Sequence, residues 1–372
     1  MNTNIEKILS ITNQNLVQKY KSSTQMKAIA MTDFPEVGKV VDSLKMIQVP
    51  VPNPKDGEVI IKMFASALYA DELYAAQGTS LGRFFGPKEV SKSKPYIMGS
   101  SVAGIIVCIG KNVHNLHIGQ EVISIPSQTP AHGVWAEYCS LKQERIMIKP
   151  TSFSFVEAAG IKMPACVSWG AIKLSNIKKG DKGLVIGASG GLGIMAVQYL
   201  KSLEVNITGV CSGNNEDIVR LNGANTVVDY TKNNFADLAI KQNEYYDCIF
   251  DFVGGIEIEK DAFRALKKSG KFITVTGPMK FIGEKKLSWV QLVNVFSHMI
   301  VKYLLGKIFG PHYIFGEMKP SETILPALSH AIKHQIKMPI SKEVPFEIEE
   351  VKKALRLVLS HRTKGRMVIN FM

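Results

Sequence analysis

The segment from Gly183 to Lys201, GLVIGASGGLGIMAVQYLK, puts a short apolar run before a cluster of small residues and an amphipathic run after it. That order describes a buried strand turning sharply into a helix. Gly190 lets a backbone approach a pyrophosphate, Gly193 lets the helix pack closely on the strand, and the free N–H groups of the helix start face the anion. Ser189, Gly190, Gly191, Leu192 and Gly193 are therefore the expected contacts of a dinucleotide.

A lone glycine pattern is a weak signal, and here Ala188 replaces the first glycine of the G-x-G-x-x-G fingerprint. Its surroundings strengthen it. Further apolar runs, Val205–Ser212, Asp247–Gly255 and Lys271–Gly277, end in small residues and alternate with helical patterns at Asn215–Asn222 and Ile258–Lys268. Such alternation implies βαβ units and a parallel sheet, with ligands at the carboxyl ends of the strands, where Gly254 and Gly277 fall. At the end of the second run an NAD site presents Asp or Glu to the ribose 2′-hydroxyl. Ser212 stands there and does not repel a 2′-phosphate, so NADPH is the expected cofactor.

With 372 residues the chain can form two domains, each with its own core. The net charge of +13 raises nucleic acid, anionic membrane or a phosphorylated ligand as partners. The basic residues are scattered, and no Arg–aromatic interleaving accompanies them, so nucleic acid is not expected and a solvated basic surface is. None of the five cysteines forms a C-x-x-C pair, which excludes a close-spaced zinc ribbon or dithiol motif. Their apolar settings suit a reducing compartment, so a cytoplasmic location is expected, with mitochondrial as the alternative. His114 and His117 lie in a turn and are not read as metal ligands.

Residues 1–25, rich in Asn, Gln and Ser, read as a flexible tail without the Arg content of a transit peptide or the apolar block of a secretory signal. From Met26 to about Lys149, short apolar runs punctuated by Gly and Pro imply a compact, barrel-like β domain. The closing strand, Met367–Phe371, belongs with that first domain by composition. The expected division is thus 26–150 plus 318–372 for one domain and 151–317 for a cofactor domain inserted into it.

Seven short motifs in order carry a resemblance: Glu58–Lys62, Met98–Gly104 with Ile109-Gly110 and Ile118-Gly119, Gly133–Tyr138, Gly187–Gly193, Leu221–Tyr230, Phe250–Gly255 and Lys364–Ile369. From Met26 onward the chain resembles the medium-chain dehydrogenase/reductase superfamily, in its zinc-free quinone-oxidoreductase branch. The resemblance implies an α/β protein, a GroES-like β-barrel domain with an inserted Rossmann doubly wound parallel-sheet domain. It also implies hydride transfer from NADPH to quinones or α,β-unsaturated carbonyls, and a homodimer. Where the zinc-dependent branch carries Cys and Gly-His-Glu, this chain has Leu68 and Gly99-Ser100-Ser101, and the Cys-rich structural-zinc loop is missing. No metal is expected.

The same resemblance assigns Ser212, Asn215 and Tyr230 to the adenosine phosphate, although branch members commonly have Lys or Arg at 215. It offers Tyr69 and Ser168 as donors to a substrate carbonyl, with Asp71 read as the cap of a helix starting at Glu72. The alternative function is a weakly active cofactor-binding protein that recruits RNA or membrane.

Leu287 to Phe309 is long and apolar, with Trp289, Leu292, Phe296, Met299 and Tyr303 at helical spacing. Gln291, Asn294, Ser297 and His298 interrupt each turn and count against a membrane span. A lid or dimer-facing helix, a core helix, and an interfacial anchor helped by Lys285, Lys286, Lys302 and Lys307 all fit. A helix covering the site would imply a small lipophilic electrophile as substrate, and residues 285–309 are the place for peripheral membrane contact.

Overall fold

A computed structural model describes residues 13–79, 84, 86–125, 133–280, 282–284, 286–316, 319–361 and 363–372. The chain divides into two units, 1–160 with 340–372, and 161–339. The second is thus inserted into the first in sequence. The division lies inside the helix Phe155–Ser175 rather than at 150, and the helix Pro320–Lys333 groups with the inserted unit rather than being split from it at 318. The reason for the second difference is packing: Tyr199 Oη donates to Ala327 O at 2.9 Å, and Ser202 Oγ lies 2.7 Å from His330 Nε2.

In the first unit the strand Glu58–Ala67 is the hub. On one edge it pairs antiparallel with Ala103–Ile109; on the other, Glu58–Lys62 pairs with Tyr138–Lys142 and Ala65–Ala67 with the closing strand Arg366–Asn370. Register shifts at Ile60/Ile61 and Met63/Ala65 bend it, as bulges do where a sheet curls toward a barrel. The closing strand does return to the first unit, with Val368 opposite Ala67. Its outer neighbour is the parallel strand Ile340–Pro345. A separate sheet places Gln25–Met31 between Lys45–Pro50 and Tyr96–Ile97. The core fills with Ile29, Met63, Val102, Leu355 and Trp135, whose indole donates to Ser66 Oγ at 3.1 Å.

One expectation needs correction here. Residues 13–22 are helical rather than part of a loose tail; residues 1–12 lie outside those described. Leu16, Val17 and Tyr20 share one helical face and pack on the β unit, where Tyr20 Oη donates to Pro52 O at 3.0 Å.

The inserted unit holds a six-stranded, all-parallel sheet in the order Thr226–Asp229, Asn206–Cys211, Lys182–Ile186, Tyr246–Asp251, Leu266–Thr274, His312–Phe315. Strands covered on both faces are apolar throughout, which is why Leu184–Ile186 and Cys248–Phe250 read as continuous runs. The strand order reverses between Lys182–Ile186 and Tyr246–Asp251. In a doubly wound sheet that reversal opens a crevice at the carboxyl ends.

Candidate functional site

At the reversal point the first strand runs into Gly187, at φ +78°, and the chain enters the helix Gly191–Ser202. Gly187 and Ala188 N–H groups donate to Val210 O, which ties the turn to the neighbouring strand. The two later glycines differ in what they permit. A Cβ on Gly193 would stand 2.1 Å from Gly187 O and 2.7 Å from Ala188 Cα, so helix and strand can approach this closely only without one. A Cβ on Gly190 meets nothing nearer than 3.4 Å, and its φ of −77° suits any residue. Packing therefore explains Gly193 but leaves Gly190 without an internal reason. Among the described residues no side chain caps the helix at Gly190, which leaves its first N–H groups at the positive end of the helix dipole.

Around this turn the expected contacts fall into two clusters. Asn215 Nδ2 donates to Ser189 Oγ at 3.2 Å, joining two residues far apart in sequence. Ser212 opens the 3₁₀ turn Gly213–Asn215, and Tyr230, whose N–H donates to Cys211 O, is 63% exposed. Asp229, not singled out from sequence, binds this corner together. Its carboxylate accepts from Thr231 Oγ1 at 2.7 Å and Thr231 N at 3.0 Å, which with the Gly213 N–H holds it below the ordinary carboxylate range.

Gly254 and Gly277 form the second cluster. Gly255 N donates to Gly277 O at 3.1 Å, and both Gly254 and Gly277 have φ of +80°. Buried Asp251 organises the pair: Oδ1 accepts from Val253 N and Gly254 N, at 3.0 and 2.9 Å, and Oδ2 from Thr274 Oγ1 at 2.9 Å. Thr274 Oγ1 in turn accepts from Gly277 N at 3.0 Å. This side-chain bridge lies behind the glycines; the sequence signal was an acid at the end of an apolar strand.

The two catalytic candidates sit in different units. Ser168 is fully buried, and its hydroxyl donates to Leu192 O at 2.7 Å, in the first turn of the helix Gly191–Ser202. Tyr69 is buried in the first unit, with its Oη 3.5 Å from Ala159 O and the Arg366 guanidinium 4.8 Å from its ring centroid. Burial raises its pKa far above the ordinary phenol range, so the hydroxyl is a donor at every physiological pH.

The neighbouring helix is Ala70–Ala76, with Tyr69 at its N-cap. Asp71 accordingly lies in the first turn and is not the cap expected from sequence, since the chain enters helical geometry two residues earlier. Glu72 instead turns inward. Its Oε1 accepts from Ser100 N and Oγ at 2.7 and 2.6 Å, while buried Oε2 has no hydrogen-bond partner among the described residues. Burial pushes this carboxyl up to about 8, against the opposing Ser100 hydrogen bonds.

In the folded state Glu72 then keeps its proton where the unfolded chain has lost it, so stability falls as pH rises from the unfolded carboxyl range to about 8. The loss over that whole range is on the order of 5 kcal/mol. Glu72→Gln cannot ionise and should flatten the fall of melting temperature between pH 5 and 8; an unchanged slope would contradict the assignment.

The sequence matches the alcohol dehydrogenase GroES-like domain over residues 55–151 and the zinc-binding dehydrogenase family over residues 222–369. It is 30% identical over 336 residues to the mitochondrial NAD(P)H oxidoreductase RTN4IP1 of Danio rerio, covering 85% of this chain and 84% of that protein. It is 27% identical over 358 residues to the 2-methylene-furan-3-one reductase of Solanum lycopersicum, covering 93% of this chain and 79% of that one. Among solved structures, the quinone oxidoreductase of Coxiella burnetii superposes with a TM-score of 0.75 at 21% identity, over 94% of this chain and all of that one. With its GroES-like unit, its inserted Rossmann sheet and these relatives, the chain belongs to the medium-chain dehydrogenase/reductase superfamily, in the quinone-oxidoreductase-like branch.

Proposed function

We propose that the protein is an NADPH-dependent, zinc-free reductase that delivers hydride to quinones or α,β-unsaturated carbonyls. The observation that carries this reading is the uncapped helix start at Gly190, where packing does not require a glycine but an approaching pyrophosphate does. The names of the tomato and zebrafish relatives, a furanone reductase and an NAD(P)H oxidoreductase, support it.

Bound at this turn, a nicotinamide cofactor supplies the hydride. Residues 189–193 would hold the pyrophosphate through backbone N–H groups, and Ser168 positions that helix by its bond to Leu192 O. Ser212, Asn215 and Tyr230 meet the adenosine end, with hydroxyl and amide groups offered to a 2′-phosphate. Gly254 and Gly277, held by the Asp251–Thr274 bridge, would leave the ligand room beside the backbone. Tyr69, held neutral by burial, donates to the substrate carbonyl oxygen as negative charge develops there.

The positions that hold zinc in relatives offer no ligand set. Leu68 is packed in the core, and the Ser100 hydroxyl is already donated to Glu72. A conjugated substrate suits such a site, because its own electron sink replaces a Lewis acid.

The test is to mix the protein with NADPH or NADH and a panel of small quinones and enones, following nicotinamide absorbance, with elemental analysis of the same sample. Oxidation of NADPH well above the blank without bound zinc is expected. Tryptophan quenching without turnover on any substrate would favour a cofactor-binding protein instead. Ser212→Asp should weaken NADPH binding about tenfold, or ~1.4 kcal/mol, while sparing NADH; an equal loss for both would refute the placement of the 2′-phosphate.

A further inference from the structure

The helix Trp289–Phe309 turns much of its apolar surface outward. Leu292, Val295 and Gly306 are buried against the inserted unit, where a Cβ on Gly306 would stand 2.8 Å from Pro311 O and 2.9 Å from Tyr313 N. Two of its ionisable groups, His298 and Lys302, lie toward the same inward side. His298 Nε2 lies 2.8 Å from Glu259 Oε2, and Lys302 Nζ lies 3.0 Å from Glu259 Oε1, on a carboxylate that is almost wholly buried. Most of the exposed surface is large apolar side chains, among them Trp289 at 65% exposure, Val293, Ile300, Leu304 and Ile308 at 71%, with Asn294, Ser297 and Lys307 exposed between them. A helix facing water carries the opposite pattern.

We propose that this face docks the protein in the plane of an anionic membrane surface. Length and hydropathy alone would allow the helix to cross a bilayer. The close approach of Gly306 to residues 311–313 and the Glu259 ion pairs hold one face on the protein, so only partial immersion is compatible with the fold. The charge selects lipid over a second copy. The helix contains no Asp or Glu, Lys286 and Lys307 stand near its two ends, and the chain carries a formal +13. An antiparallel pairing of two such helices would set lysine ends against lysine ends, whereas anionic headgroups would meet both. Trp289 and Tyr303 are the residue types that settle at the headgroup boundary.

The experiment uses the full chain with phosphatidylglycerol-containing and pure phosphatidylcholine vesicles, read by flotation and tryptophan emission. Trp135 and Trp169 are buried, so a blue shift on binding reports Trp289. The expected result is flotation with anionic vesicles, weakened by salt, with a blue shift that Trp289→Phe abolishes while flotation persists. The triple variant Ile300→Gln/Leu304→Gln/Ile308→Gln changes only outward positions, should keep the melting temperature, and should bind anionic vesicles at least about tenfold more weakly. Absence of flotation would overturn the proposal. So would a dimer in sedimentation analysis that the triple variant converts to monomer while vesicle binding is absent or unaffected.

Discussion

Gly193→Ala is expected to destabilise the protein by about 3 kcal/mol or more, whereas Gly190→Ala, three residues earlier on the same turn, should stay within roughly 1 kcal/mol of the parent. The contrast comes from what each new methyl would touch. At 193 both neighbours are backbone, Gly187 O at 2.1 Å and Ala188 Cα at 2.7 Å, and no rotamer can move them aside. The helix would have to lift from the strand, and buried Ile194, Ala196 and Val197 would lose packing with it. At 190 the nearest atom is 3.4 Å away. The methyl there instead occupies space facing the ligand, so NADPH binding should fall about tenfold or more with the fold intact. Thermal unfolding and cofactor titration of both variants check the pair. Equal stability losses with unchanged cofactor affinity would remove the physical reason for reading this turn as a phosphate cradle.

Asp251→Ala is expected to be nearly as damaging to the fold, at about 3–5 kcal/mol. Three donors, Val253 N, Gly254 N and Thr274 Oγ1, converge on this one carboxylate in a site closed to water. Removing it leaves two amides unsatisfied and frees Thr274, whose hydroxyl also receives Gly277 N. The two loops bearing Gly254 and Gly277 should loosen together. Asp251→Asn keeps Oδ1 for the amides and loses only the acceptor facing Thr274, so it should fall between parent and alanine. Melting temperatures of the three proteins test the order; an alanine variant as stable as the parent would show that the bridge does not hold the loops.

Much of the inserted unit is legible in the sequence because a parallel strand covered on both faces must be apolar along its length. Leu184–Ile186 and Cys248–Phe250 meet that demand. Strands that escape the rule were also the ones that sequence reading misjudged. Leu266–Thr274 begins Leu-Lys-Lys-Ser-Gly, with its first lysines exposed and a register shift opposite Tyr246, so only its Phe-Ile-Thr end announces a strand. Ile340–Pro345 buries Val344 alone at the edge of its sheet, and it is invisible for the same reason.

The candidate site divides in a similar way. The glycine cradle is written locally, since strand, turn and helix are contiguous. The Asn215 to Ser189 bond, the Asp251–Thr274 bridge and the Ser168 to Leu192 contact depend on which strands and helices become neighbours, and periodicity carries no such information. Glu72 illustrates the limit. The sequence suggests a helix starting at Glu72 with Asp71 as its cap, but the helix starts at Ala70 and Glu72 turns inward onto Ser100.

Isothermal titration of the purified full chain with NADPH and with NADH examines the central claim most directly, because it reports the phosphate cradle and the 212–215 corner together. The account predicts saturable heat with both, NADPH binding about tenfold more tightly or better. No heat with either nucleotide, or a clear preference for NADH, would contradict it.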